Sequence, residues 1–185
     1  MTAGRLRLLV GVGALAVLAV VGFFSFRGAS QDRSGPEADV TNPAAFNLPA
    51  LEGDGRVRLA DFKGTPVVVN FFASWCGPCD LELPHFAEAA RKLKGKVRFI
   101  AVNSQELSEK SAVRMAERHG LEEAGITLGR DSGGRSGSLL HDALGRGMPL
   151  NAFYDAEGTL LDVGRGALLG GKLAETLERI YGVTY

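Results

Sequence analysis

The chain has 185 residues, 45% of them hydrophobic, and its 21 Lys+Arg balance its 21 Asp+Glu. That length suits one ordinary domain with a short appendage, and the apolar content is enough for a packed core. No basic block, no basic face interleaved with aromatics and no run of like charge occurs, which excludes a nucleic-acid surface and a charged interaction tail.

Arg5 and Arg7 precede a run, residues 8–26, with no charge and one polar residue, Ser25. A helix of that length covers about 28 Å, close to the ~30 Å hydrocarbon core of a bilayer. A cleaved secretory signal has a core of only ~7–15 residues. Residues 1–27 therefore read as an uncleaved signal-anchor. Gly28-Ala29-Ser30 leaves a cleaved signal as the alternative. Arg5, Arg7 and the amino terminus on one side nearly balance Arg27 and Arg33 on the other. Signal-anchor logic places the amino terminus in the cytoplasm and the rest outside it. Gly11-Val12-Gly13-Ala14-Leu15-Ala16 fits a loose dinucleotide-binding pattern but has no strand before it and no βαβ context. Residues 28–43, rich in Gly, Ser, Asp and Pro, read as a flexible linker. Residues 44–185 form the globular domain.

Within that domain, Phe46-Asn47-Leu48 and Arg56-Val57-Arg58-Leu59 alternate in character around Asp54-Gly55, a hairpin signal. Residues 65–72 contain Val67-Val68-Val69 and Phe71-Phe72, a continuous apolar run suited to a strand buried on both faces. A helix is predicted over 76–94, with a kink at Pro84. A second buried strand follows at 97–102, then a helix over 108–119 capped by Ser108, and a short strand at 126–128. Residues 131–137 read as loop. Strands at 150–154 and 159–163 are joined by Asp155-Ala156-Glu157-Gly158. A last helix over 172–181 places Leu173, Leu177 and Ile180 on one face. The expected fold class is an α/β sandwich with parallel and antiparallel strands in one sheet.

The chain has two cysteines, in Trp75-Cys76-Gly77-Pro78-Cys79. So short a bridge constrains little of the unfolded chain, which points to chemistry rather than a staple. Side chains at i and i+3 on a helical turn are close enough to form a disulfide. The free N–H groups and positive potential of a helix amino terminus favour a thiolate. Pro78 lacks an N–H and suits the first turn. Position then assigns the roles. Cys76, nearer the end, is expected to be exposed and to attack a partner disulfide. Cys79, one turn deeper, is expected to resolve the mixed disulfide. A zinc site needs two more ligands. His85, His119 and His141 are scattered, so no metal is assigned, and His85 reads as an exposed polar residue.

Asn70-Phe71-Phe72-Ala73-Ser74-Trp75-Cys76-Gly77-Pro78-Cys79, followed by Glu82-Leu83-Pro84, resembles the thioredoxin superfamily. With Asp61-Phe62-Lys63-Gly64-Thr65-Pro66 it resembles in particular the membrane-tethered TlpA/ResA-like branch linked to cytochrome c maturation. The resemblance implies a thioredoxin-like sandwich, a mixed sheet flanked by helices, and no cofactor. It implies that Met148-Pro149 is the cis-proline loop, aligning a partner chain beside Cys76 together with Trp75, Gly77 and Pro78. Trp75 reads equally well as core filler. Asn70 stands where thioredoxin has a buried aspartate. Glu82 matches the branch's glutamate, a partly buried acid/base for Cys79, with a surface helical residue as the alternative. The Gly-Pro dipeptide implies a reductant. The implied partners are disulfide-bearing extracytoplasmic proteins, such as apocytochrome c or copper-handling proteins, and a membrane-embedded thiol electron carrier. A lipid bilayer around residues 8–26 completes the set, and the expected location is the bacterial cytoplasmic membrane with the domain outside. The alternative of another class is a tethered Cu(I) chaperone using the cysteine pair without turnover. The three-residue spacing and added histidine of known thioredoxin-fold copper chaperones argue against it. A peroxidase would place its reactive cysteine in a different local motif.

Overall fold

Val67–Phe72 is buried on both faces, as its unbroken apolar run requires, and everything else is arranged around it. This computed structural model describes residues 43–132 and 138–185, which belong to one unit, 38–185. The expected anchor, nearly all of the expected linker, the dinucleotide-like hexapeptide and residues 133–137 of the expected loop lie outside the described residues. Among the described residues no helix is long and apolar enough to cross a membrane.

The chain opens with β1 (Asn47–Pro49) and β2 (Arg56–Arg58), an antiparallel hairpin. A 3-10 turn over Leu59–Phe62 leads to β3 (Val67–Phe72). Then come α1 (Gly77–Lys92), β4 (Arg98–Asn103), α2 (Glu109–Arg118), β5 (Thr127–Arg130), α3 (Leu139–Leu144), β6 (Leu150–Tyr154), β7 (Leu160–Arg165) and α4 (Gly171–Tyr181). The main sheet has the order β5-β4-β3-β6-β7. β4 runs parallel to both β3 and β5, whereas β6 is antiparallel to β3 and β7.

Side-chain alternation along the strands separates two cores. Val68, Phe72, Phe99, Ala101 and Phe153 face α1, α2 and α4, where Leu83, Phe86, Met115, Leu173 and Leu177 complete one cluster. Val67, Val69, Phe71, Ile100, Val102, Leu150, Ala152 and Tyr154 face the hairpin and α3, with Leu48, Val57, Leu140 and Leu144. Phe86 meets Phe99 edge-on, ring centres 6.1 Å apart, a favoured aromatic geometry. The same alternation puts Asn70, Asn103 and Asn151 on the face of α1, and all three are buried.

In its secondary structure the chain departs from the sequence expectations at Leu59, Ser108 and α3. Leu59 belongs to the 3-10 turn rather than to the strand. The Ser108 side chain makes no cap bond to α2; its N–H instead donates to Glu106. α3 was not expected at all. It has six residues, fewer than two turns, so it carries no readable period.

Candidate active site

β3 ends at Phe72, and the chain turns at Ala73–Trp75 into α1, whose amino-terminal cap is Cys76. Cys76 and Cys79 form a disulfide, with Cα atoms 5.3 Å apart. The Cys79 N–H donates to Cys76 Sγ at 3.2 Å. The sulfur thus occupies the place of a capping oxygen, sharing the Cys79 N–H with the Cys76 carbonyl at 3.1 Å. Pro78 sits in the first turn, and α1 runs on through Pro84 to Lys92.

The expected exposure of Cys76 is corrected. It is 4% exposed, against 0% for Cys79. In the disulfide its sulfur turns inward to reach a partner one helical turn deeper, and both join the apolar cluster against which Met148 packs. The expected order survives, since what little access exists is to Cys76. Trp75 is the opposite case. It is 52% exposed, so it is not core filler. Its Nε1–H donates to the Gln105 carbonyl at 2.9 Å, which holds the ring at the surface beside Cys76. Gly77 and Pro78 are exposed alongside it.

The Met148–Pro149 peptide bond is cis. Leu150 pairs with Phe71, so Pro149 lies at the sheet end from which the cysteine turn leaves. The Pro149 carbonyl accepts the Gly166 N–H at 2.9 Å.

Glu82 is wholly buried, which corrects both the surface reading and the partly buried one. It shares a helical face with Cys79 at i, i+3. Its Oε1 accepts the Leu168 N–H at 2.7 Å and Asn151 Nδ2 at 2.9 Å. Its Oε2 accepts Asn70 Nδ2 at 2.8 Å. Asn70 and Asn151 are register partners on β3 and β6, bonded to each other through Asn70 Nδ2 and Asn151 Oδ1 at 2.8 Å. Burial pushes the Glu82 carboxyl above its ordinary value, and the three donors only partly oppose this. Asn70 Oδ1 is buried with no partner among the described residues. Turned by half a rotation, that amide would offer an acceptor to a protonated Glu82. Such a carboxyl can hold or release a proton without contact with bulk water.

Residues the sequence did not single out fix the approach to the disulfide. Glu106 accepts the Ser74 N–H at 2.7 Å and the Ser74 hydroxyl at 2.9 Å. It also takes the Leu107 and Ser108 N–H groups at 2.9 and 3.2 Å. Burial alone would raise its carboxyl, but these donors outweigh burial and set it below the ordinary value. A group depressed on folding stabilises fully above its unfolded value, and that contribution is lost as pH falls through the folded one. Glu106→Ala should therefore cost on the order of 1 kcal/mol at neutral pH, because solvent screens these partly exposed bonds. Urea titrations should show this gap shrinking below the ordinary glutamate range. A gap independent of pH would mean that the carboxylate charge contributes nothing.

Asp80, directly after Cys79, accepts from His119 Nε2 and an Arg118 Nη, both at 2.6 Å. His119 first, and Arg118 next, hold its carboxyl below the ordinary value. The start of α1 is thereby tied to the end of α2. His85 is half-buried, and among the described residues no cluster of His, Cys, Asp and Glu could hold a metal ion.

A disulfide closing the first turn of the helix that leaves a central strand is the arrangement of a thioredoxin-like thiol-disulfide oxidoreductase. The chain belongs to the AhpC/TSA family, whose family model matches residues 40–159. It is 32% identical over 150 residues to the thiol:disulfide interchange protein DsbE of Pseudomonas fluorescens biotype C, covering 80% of this chain and 79% of that one. Against the thiol-disulfide oxidoreductase ResA of Halalkalibacterium halodurans it is 29% identical over 179 residues, covering 95% and 96%. The crystal structure of the pneumococcal exposed lipoprotein thioredoxin Etrx1 of Streptococcus pneumoniae superimposes with a TM-score of 0.58 at 29% identity, covering 73% of this chain and 98% of that one. The expected fold and enzyme class are met: the protein is a thiol-disulfide oxidoreductase.

Proposed function

We propose that the protein is a membrane-tethered reductant of disulfides in extracytoplasmic proteins, apocytochrome c or copper-handling proteins among them. The observation that carries this reading is the Cys76–Cys79 pair at the mouth of α1 with buried Glu82 one turn further in. In the reduced protein the Cys76 thiolate attacks a partner disulfide, forming a mixed disulfide and releasing one partner thiolate. Cys79 then gives its proton to Glu82 and attacks Cys76 Sγ. The second partner thiolate leaves, and the Cys76–Cys79 bond closes. Two electrons have passed to the partner. Trp75, Gly77, Pro78, Met148 and Pro149 form the surface on which the partner lies.

The apolar run at 8–26 supports a bilayer anchor, with the domain on the outer face of the cytoplasmic membrane. Outside the cytoplasm the pair needs a supply of electrons, and a membrane-embedded thiol carrier is its reductant. The names of the DsbE and ResA relatives agree with exchange chemistry on proteins.

Direction is tested by equilibrating the full-length chain in detergent with dithiothreitol or glutathione buffers. The Gly-Pro dipeptide sets the expectation of a potential nearer thioredoxin's (about −270 mV) than that of a strong periplasmic oxidant (about −120 mV). A value at the oxidising end overturns the reductant role and leaves the exchange chemistry intact.

A further inference from the structure

Pro149 and Trp75 flank the disulfide on separate loops, and a continuous hydrogen-bond chain, exposed at Trp75 and buried at its centre, joins those loops. The Trp75 indole N–H donates to the Gln105 carbonyl at 2.9 Å. The Gln105 N–H donates to Ser138 Oγ at 2.8 Å. Ser138 Oγ lies 2.8 Å from Ser104 Oγ, and Ser104 Oγ lies 3.1 Å from His141 Nδ1. His141 Nε2 meets the Gly147 carbonyl at 2.6 Å, directly before Met148. A carbonyl only accepts, so Nε2 carries a proton, and the two rotatable hydroxyls complete the chain toward Nδ1.

The ring at the centre of this chain is fixed from every side. His141 is wholly buried and stacks on Phe71, with centroids 5.1 Å apart and planes 17° from parallel. Its backbone N–H donates to Asp131 Oδ2 at 2.8 Å and that of Leu140 to Asp131 Oδ1 at 3.2 Å. By contrast, the segment it holds has little stiffness of its own. Gly145 and Gly147 sit at φ 98 and 131, where glycine alone is at ease. The turn's other ties are the Gly145 N–H bond to the Asp142 carbonyl at 3.3 Å, the Arg146–Asp142 ion pair at 3.8 Å and the Arg165 Nε bond to the Arg146 carbonyl at 3.2 Å, none of which reaches the Trp75 loop. At the far end Gln105 adopts φ 55, a region costly for a side-chain-bearing residue. Bonds at both its N–H and its carbonyl hold it there. Burying two hydroxyls and an imidazole costs desolvation that a plain apolar core would avoid.

We propose that His141 is a positioning residue that sets the spacing between the Trp75 loop and the Met148–Pro149 loop. An extended, disulfide-bearing protein segment then fits between them with its sulfur against Cys76. This rests on the protein-disulfide reading above. A small disulfide needs only Cys76, whereas a protein segment needs both loops in register.

The test uses the full-length chain in detergent, pre-reduced, with insulin as the protein disulfide and oxidised glutathione as the small one. His141→Phe keeps the stack on Phe71 and removes both ring nitrogens. His141→Gln retains a donor for Gly147. In single turnovers of the pre-reduced chain, His141→Phe should lower the second-order rate constant for insulin about tenfold, mainly by raising the half-saturating insulin concentration, with the glutathione rate within twofold of wild type. His141→Gln should recover most of the loss. The chain's single tryptophan gives a second readout: Trp75 anisotropy should fall in His141→Phe and recover in His141→Gln. Should His141→Phe fail to fold, Ser138→Ala, which breaks one link, should show the same split at about threefold. Equal loss toward both substrates, or none toward either, overturns the inference and leaves the protein-disulfide reading standing. Wild-type protein that exchanges with glutathione but spares insulin overturns both.

Discussion

Cys79→Ser should accumulate a stable mixed disulfide through Cys76, while Cys76→Ser should trap nothing and lose at least a thousandfold in exchange rate. The asymmetry follows from where each sulfur sits. Cys76 caps α1 and its Sγ accepts the N–H of residue 79, a donor that serine at 79 retains. The attacking thiolate therefore keeps its stabilising partner in Cys79→Ser. What that variant lacks is the second sulfur, so the reaction halts after the first exchange. In Cys76→Ser the remaining thiol belongs to a residue with no exposed surface, and a partner disulfide cannot reach it. Non-reducing gels of whole-cell extracts expressing each variant, followed by mass spectrometry of the adduct, check the assignment and identify the partner. Equal trapping by both variants, or by neither, removes these roles. Stability is a separate matter: a bridge across three positions closes too short a loop to constrain the unfolded chain much. Either variant should melt close to the reduced wild-type protein.

The parts of this molecule legible in its sequence are those encoded by neighbours in the chain. Val67-Val68-Val69 and Phe71-Phe72 declare a strand covered on both sides, and Cys76-Gly77-Pro78-Cys79 declares a helix start with two sulfurs a turn apart. The hairpin at Asp155–Gly158 carries its own turn chemistry; Asp155 Oδ1 accepts the N–H groups of Glu157 and Thr159. Pro149 and Glu82 were legible only through family resemblance, because nothing local distinguishes a cis proline from an ordinary turn proline or a buried glutamate from a surface one. What stayed hidden is fixed by distant residues. The first N–H groups of α3 are capped by Asp131, nine positions before Leu140. Glu106 finds Ser74 thirty-two positions away, and His141 finds Ser104 thirty-seven away. Asn151 carried a weak signal, a polar residue in the apolar run Leu150–Tyr154. It gains meaning only when register sets it opposite Asn70. Cys76 is buried in the disulfide-bonded protein, packed in a cluster drawn from distant elements that a linear reading cannot see.

Glu82→Gln should slow release of the partner from the mixed disulfide about a hundredfold, the size of a positioned general base, and should leave the first attack by Cys76 nearly unchanged. Once Cys76 is bonded to a partner, the freed Cys79 thiol must lose its proton in a fully buried setting. Glu82 is the carboxylate one turn along the same helical face, also with no exposed surface. Its elevated carboxyl, caused first by burial, brings it closer to a thiol in proton affinity than an exposed glutamate would be. Glutamine keeps the shape and can still accept from Leu168 and Asn151. At the other position its amide nitrogen faces Asn70 Nδ2, and rotation of Asn70 presents its unpaired Oδ1 instead, at the cost of the Asn70–Asn151 bond. The fold should survive, which isolates the proton. The pH dependence supplies the sign. An acid raised on folding binds its proton more tightly in the native state, so in the window above the ordinary glutamate value the native protein holds more protons than the unfolded one. Stability then falls as pH rises through that window and levels off above the folded-state value. Asp131, raised likewise by burial, and Glu106, lowered, titrate in both proteins, so the urea midpoint of the reduced wild type should fall more steeply across the window than that of Glu82→Gln. Single-turnover kinetics across the same range should show the resolving step rising with pH in wild type and losing its lower inflection in the variant. If the midpoint responds as expected and the resolving profile does not change, Glu82 ties β3, β6 and the Leu168 loop to α1 and takes no part in moving the proton.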